Sequence, residues 1–166
     1  MNFFLNLKEF KTHLFKKDNI FYLVLTLIVF FSDRIMKLKV INEFSDNTYF
    51  INDYINLDLI WNTGIGFGFL STNSSFLYDI ITLIIGIILG FLIYIFVLAN
   101  TVDKIIYSII IGGGLGNFFD RLIYKAVPDF LDVHYENFHW FTFNVADIFI
   151  TMGIIIFIIR GFFIKN

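Results

Sequence analysis

Long apolar stretches alternate with short polar ones along the chain, and windows of about 20 residues select four candidate membrane spans. They cover residues 20–41, 80–99, 105–123 and 145–163. The first is unbroken through Phe31, then turns polar on part of its surface at Ser32, Asp33, Arg34, Lys37 and Lys39. The second holds no charge. The third runs uncharged to Phe119 and meets Asp120 and Arg121 near its end, and the fourth carries Asp147 near its start. With four spans, both termini share one side.

Residues 42–79 and 124–144 stay outside these spans. Within the first, Ile55, Leu57, Leu59 and Trp61 alternate with Asp58 on the other face, which predicts short strands. Gly64, Gly66 and Gly68 interrupt that alternation and permit bends or close approach of another backbone. Pro128 lies outside the predicted helices. The expected architecture is an all-α membrane protein with four transmembrane helices, a single domain over 1–166, and a small sheet beyond one end of the bundle.

Composition agrees: 58% of the 166 residues are hydrophobic, and the mean hydropathy is +0.78, above the range of ordinary soluble chains. No cysteine is present, which excludes disulfides, thiolate metal sites and thiol nucleophiles. A net charge of −2 offers no basic face for a nucleic acid. The opening lysines resemble those of a secretory signal, but no small-residue cleavage site follows, so the first span is read as retained. Lys8, Lys11, Lys16, Lys17, Lys104, Arg160 and Lys165 gather on the side holding the termini, which makes that side cytoplasmic. Glu9, Asp18 and Asp103 lie on that same side; every other acid, from Asp33 to Asp147, then belongs to the opposite end of the spans or to the segments beyond it.

Gly113, Gly116, Asn117 and Asp120 fall at i, i+3, i+4 and i+7, one helical face. Glycines there suit helix packing, while Asn117 and Asp120 add hydrogen-bonding groups at the membrane edge. Asn144, Asp147 and Thr151 share a face of the fourth span, and Asn144 with Asp147 also has the pattern of a helix cap. Asp33 and Lys37 form an i, i+4 pair; snorkelling accounts for Arg34, Lys37 and Lys39 without further function. His134 and His139 show no ligand spacing and are read as surface histidines. Carboxylates remain: Asp33, Asp120, Asp129, Asp132 and Asp147. Two of them sharing one proton are able to hydrolyse an amide without metal.

The blocks SDRIMK at 32–37, NTGIGFGF at 62–69, GGGLGNFFDRL at 112–122, VPDFLD at 127–132 and FNVADIFI at 143–150 resemble, in order and spacing, those of the prolipoprotein signal peptidases, the signal peptidase II family. The resemblance implies an intramembrane aspartyl endopeptidase of the bacterial cytoplasmic (inner) membrane, with both termini cytoplasmic and its site near the extracytoplasmic face. Its substrates would be diacylglyceryl-modified prolipoproteins, cut just before the lipidated cysteine. Membrane lipids would surround it, with no cofactor, no metal and no required oligomer. The resemblance makes Asp129 and Asp147 the catalytic pair, and Asp33, Lys37, Asn62, Gly64, Asn117, Asp120, Arg121 and Asn144 the supporting positions. It also implies an extracytoplasmic β-cradle near residues 42–71. The chain departs from the family pattern at Lys125, where glycine is common, and at Pro128, where an aliphatic residue is usual.

Two other classes compete. A Mg-dependent lipid phosphotransferase would use Asp120, Asp129 and Asp132 as oxygen ligands. A small ion or proton transporter would use membrane carboxylates as a route, although here they cluster at one end.

Overall fold

A computed structural model of the chain describes residues 7–14, 16–44, 48–64 and 74–163. A short helix α1 (Leu7–Leu14) and a single 3-10 turn (Lys17–Asn19) precede α2 (Ile20–Glu43). The buried Asn19 amide donates to the carbonyls of His13 and Leu14, fixing the bend into α2. Strands β1 (Tyr49–Asn52) and β2 (Ile55–Asn62) come next, then α3 (Ser75–Leu98) and α4 (Thr101–Tyr124). Strands β3 (Val127–Tyr135) and β4 (Phe138–Phe143) lead into α5 (Val145–Phe163).

Helix α3 begins at Ser75, five residues before the span expected from hydropathy. The Ser74 hydroxyl accepts from Leu77 N–H and starts the helix ahead of its purely apolar part. Asn100 caps α4 by accepting from Val102 and Asp103. Twenty-four residues in each of α2, α3 and α4 give rods of about 36 Å, longer than the hydrocarbon core of a bilayer.

Among the described residues, three helical stretches, Lys17–Glu43, Ser75–Leu98 and Val145–Phe163, are long and apolar enough to cross a membrane. Helix α4 is not one of them, because it is the central helix. It packs against α2, α3 and α5 and spends its length on small and polar residues that face inward, including buried Ser108, Gly112, Gly113, Gly116, Asp120 and Arg121. A Cβ on Gly112 would lie 2.7 Å from the Thr26 carbonyl oxygen, and one on Gly113 would lie 2.7 Å from that of Ala146. The glycines therefore set how closely α2 and α5 approach. The outward faces carry exposed Phe21, Ile28, Ile35, Leu83, Ile87, Phe91, Ile155 and Ile158, a surface suited to lipid. This is a helical membrane protein with a small sheet.

The sheet is antiparallel in the order β1-β2-β3-β4. It joins the C-terminal ends of α2 and α4 to the N-terminal end of α5, and Phe130 packs beneath it with Val40 and Leu57. Half of it thus comes from residues 127–143, beyond the segment expected to form the cradle. Trp61 does not share a face with Ile55, Leu57 and Leu59. The pairing of β2 with β3 shifts register between Leu57 and Ile60, and such a bulge reverses the inward side. Asn62 consequently turns inward, while Trp61 is exposed against the ring of Tyr124.

Candidate active site

Asp129 is the third residue of β3 and is 2% exposed. Helix α4 ends at Tyr124, and Lys125 takes a left-handed conformation with φ 55° and ψ 24°. The turn here does require positive φ, and a lysine carries it where the family pattern has glycine. Pro128 follows in β3 opposite Trp61.

Asp147 lies in the first turn of α5, partly buried. Its backbone N–H donates to Asn144 Oδ1 at 3.0 Å, and its own Oδ2 accepts from Asn144 N–H at 3.2 Å. This reciprocal cap satisfies two helix-end donors. It also leaves the Asn144 side-chain amide free to donate to Asp129 Oδ1 at 2.6 Å. Capping and contact with the other carboxylate thus coexist in one residue.

Two further asparagines work the same way. Asn62 accepts from Gly64 N–H at 2.7 Å and donates to Asp129 Oδ2 at 2.8 Å. Asn117 accepts from Lys37 Nζ at 2.7 Å and donates to Asp147 Oδ1 at 2.8 Å. In each case a donor holds the amide oxygen, which turns the NH₂ toward a carboxylate.

Behind this layer sits a buried ion network. Lys37 Nζ donates to Asp120 Oδ2 and Asn117 Oδ1, each at 2.7 Å, and pairs with Asp33 Oδ2, also at 2.7 Å. Arg34 pairs with Asp120 and donates to the Tyr124 hydroxyl. Asp33 Oδ1 accepts from Ala146 N–H at 2.8 Å, fixing the start of α5 to α2. Arg121 spans the gap to the strand, donating to the Gly64 carbonyl at 2.6 Å and the Asn117 carbonyl at 3.4 Å. Snorkelling therefore does not describe Lys37, which is fully buried, or Arg34, which turns back to the bundle. Lys39 is exposed.

The ten residues named by the family resemblance belong to this one connected network, whereas Asp132, the remaining candidate carboxylate, pairs instead with His139. Gly66 and Gly68 lie outside the described residues. The hydrogen-bonding part played by Arg34 and Tyr124 was not visible in the chain, because their partners come from different helices.

Burial pushes the Asp129 carboxyl up to about 7, and the neighbouring Asp147 carboxylate adds to the rise. The amides of Asn62 and Asn144 act in the opposite direction. The arrangement is thus a pair of carboxylates sharing Asn144, one of them poised to hold a proton near neutral pH.

A bundle of apolar helices capped by a small sheet is also the fold of a known class of protein, the bacterial membrane enzymes. A solved bacterial membrane enzyme, determined by the in meso method at 2.3 Å resolution, superposes with a TM-score of 0.67 at 27% identity, covering 86% of this chain and 87% of that one. The family model described as signal peptidase (SPase) II matches residues 25–163, and the chain belongs to that family. The lipoprotein signal peptidase of Pelagibacter ubique is 44% identical over 148 residues, spanning 87% of this chain and 89% of the relative. That of Thermodesulfovibrio yellowstonii is 39% identical over 135 residues, spanning 81% and 89%.

Proposed function

We propose that the chain removes signal peptides from diacylglyceryl-modified bacterial prolipoproteins as an aspartyl endopeptidase, with Asp129 and Asp147 as its catalytic pair. Family membership supports the peptidase and its prolipoprotein substrates. The observation that carries the aspartyl reading is the set of three amides, from Asn62, Asn117 and Asn144, that hold these two carboxylates.

In this reading Asp129, the more buried, holds the shared proton, and Asp147 is ionised. Asp147 takes a proton from water as the water oxygen attacks the scissile carbonyl, and Asp129 donates to the carbonyl oxygen. The tetrahedral intermediate then collapses: Asp147 passes its proton to the leaving amine, the C–N bond breaks, and Asp129 recovers a proton from the intermediate's hydroxyl. Asn117 and Asn144 position the carboxylates throughout.

The chain acts as a single membrane domain over 1–166, with α4 as a fourth span, since it packs among three apolar helices, parallel to α2 and antiparallel to α3 and α5. Lys104 and Arg160 mark the cytoplasmic end, bound to Asn19 and Asp103. The carboxylates then open toward the extracytoplasmic face of the inner membrane. There an extended substrate segment has strands beside it, and its acyl chains stay in lipid. One chain supplies both carboxylates, so no oligomer is needed. A Mg-dependent phosphotransferase is not favoured, because Asp120 is engaged by Arg34 and Lys37, and both oxygens of Asp129 by Asn62 and Asn144.

The test is purified protein in detergent with a diacylglyceryl-modified precursor, with and without EDTA. Wild type is expected to cleave equally in both, and Asp129→Asn and Asp147→Asn to remain folded and inactive. Full turnover by either variant would overturn the assignment.

A further inference from the structure

We propose that Asp132, His134 and His139 form a binding site for a divalent transition metal of the zinc type. This site is separate from the carboxylate pair and staples β3 to β4.

Asp132 and His134 are two apart on β3 and so point to the same side. His134 stands directly opposite His139 of β4, and the two rings stack at 5.3 Å with 21° between planes. The pairing shifts register between Asp132 and His134, which brings the carboxylate toward both rings. Asp132 Oδ2 lies 2.7 Å from His139 Nδ1 and 3.8 Å from His134 Nδ1. One candidate ligand atom from each residue falls within 4.8 Å of the others.

Hydrogen bonding does not account for this convergence. The single carboxylate oxygen serves His139, while His134 Nδ1 is buried with no hydrogen-bond partner, on a side chain only 9% exposed. Leaving such an atom unsatisfied is costly. Zinc takes nitrogen and oxygen ligands at about 2.0–2.2 Å in a tetrahedron, which spaces them roughly 3–3.5 Å apart. The observed 2.7 and 3.8 Å separations bracket that spacing, so a metal would satisfy all three atoms after small side-chain movements. Two imidazoles with one carboxylate favour zinc, copper, nickel or iron over magnesium or calcium. His139, with its side chain 58% exposed, leaves the fourth position open to water.

The site touches neither Asp129 nor Asp147. It does tie together the two strands on which they depend: Asp129 precedes Asp132 by three residues, and β4 (Phe138–Phe143) carries His139 and leads to Asn144 before α5. Metal binding should therefore stabilise the hairpin without entering the chemistry.

The experiment uses the full chain in detergent, free of any polyhistidine tag and stripped of metal. Titration with Co²⁺, followed by its visible absorption and displaced by Zn²⁺, is expected to saturate at one ion per chain. His134→Ala, His139→Ala and Asp132→Asn should each weaken binding by at least about tenfold, the scale on which losing even an outer partner acts. Zn²⁺, but not Ca²⁺, should raise the melting temperature of wild type by several degrees and leave that of His139→Ala unmoved. His139→Ala also removes the partner of buried Asp132 and so should melt somewhat below metal-free wild type; the readout is that Zn²⁺ no longer moves its melting. Absence of saturable binding, or binding undiminished in the His139→Ala and His134→Ala proteins, would overturn the proposal.

Discussion

Asn144 reaches Asp129 through its side-chain amide at 2.6 Å, while its backbone N–H and amide oxygen hold the first turn of α5. One residue therefore sets the position of both carboxylates. Replacing it with aspartate preserves an N-cap acceptor but swaps an amide donor for a third carboxyl group. Asn144→Asp should fold, lose at least about tenfold in kcat/KM, and shift the pH profile upward. Asn144→Ala should lose both cap and activity. Steady-state cleavage at several pH values separates the two variants.

The raised pKa of Asp129 gives a second expectation. With a value of about 7 in the folded protein and about 3.9 in an unfolded chain, this group binds its proton more tightly when folded. Between these values the folded state holds more protons, so stability falls as pH rises from about 4 to about 7. Asp129→Asn should flatten this slope in thermal melts. In wild type, kcat/KM should decline above about pH 7 as the donor proton is lost, and a profile flat to pH 9 would contradict the proton placement.

Lys37 balances Asp33 and Asp120 in a fully buried setting. Removing it leaves buried carboxylates short of a partner, a loss of roughly 3–5 kcal/mol in comparable cases. Lys37→Met should therefore melt well below wild type and cleave poorly, because Asn117 also loses the donor that orients its amide toward Asp147. Adding Asp120→Asn should recover part of the stability but little of the activity. Equal recovery of both would argue that Lys37 acts only as a structural charge.

How much of this was readable in the chain follows from where each partner lies. The helix faces of α4 and α5 repeat within a few residues, so Asn117, Asp120, Asn144 and Asp147 were legible as polar groups at one membrane edge. The register shift in β2 was not, because alternation carries no mark of a bulge. It moved Trp61 outward and Asn62 inward. Likewise, β3 and β4 were hidden by short runs whose pairing is long-range, and with them the facing of His134 and His139. Arg34 looked like a snorkelling cation because its partners Asp120 and Tyr124 are far away in sequence.

Lys125 offers a test of the turn that delivers Asp129. A lysine at φ 55° carries a steric cost of roughly 1–2 kcal/mol that glycine escapes. Its ion pair with Asp79 is exposed on both sides and contributes little. Lys125→Gly should thus raise the melting temperature slightly or leave it unchanged, and keep turnover. Lys125→Val, β-branched in the same conformation, should lower both by misplacing the start of β3.

Gly113 provides the final test, because it couples helix packing to the position of Asp147. A Cβ there would stand 2.7 Å from the Ala146 carbonyl oxygen and press on Ile150. Backbone cannot yield as a flexible side chain does, so α5 must move away from α4 at its first turn. That displacement separates Asp147 from Asn117, whose amide comes from the neighbouring turn of α4. Gly113→Ala should therefore lower kcat/KM more than about tenfold, since an ångström of misplacement has costs on that scale. Gly90, whose Cβ would meet nothing within 4 Å, is the matched control: Gly90→Ala should leave turnover intact and stabilise α3 by about 1 kcal/mol. Equal effects at the two positions would mean that the glycines of α4 do not position the site.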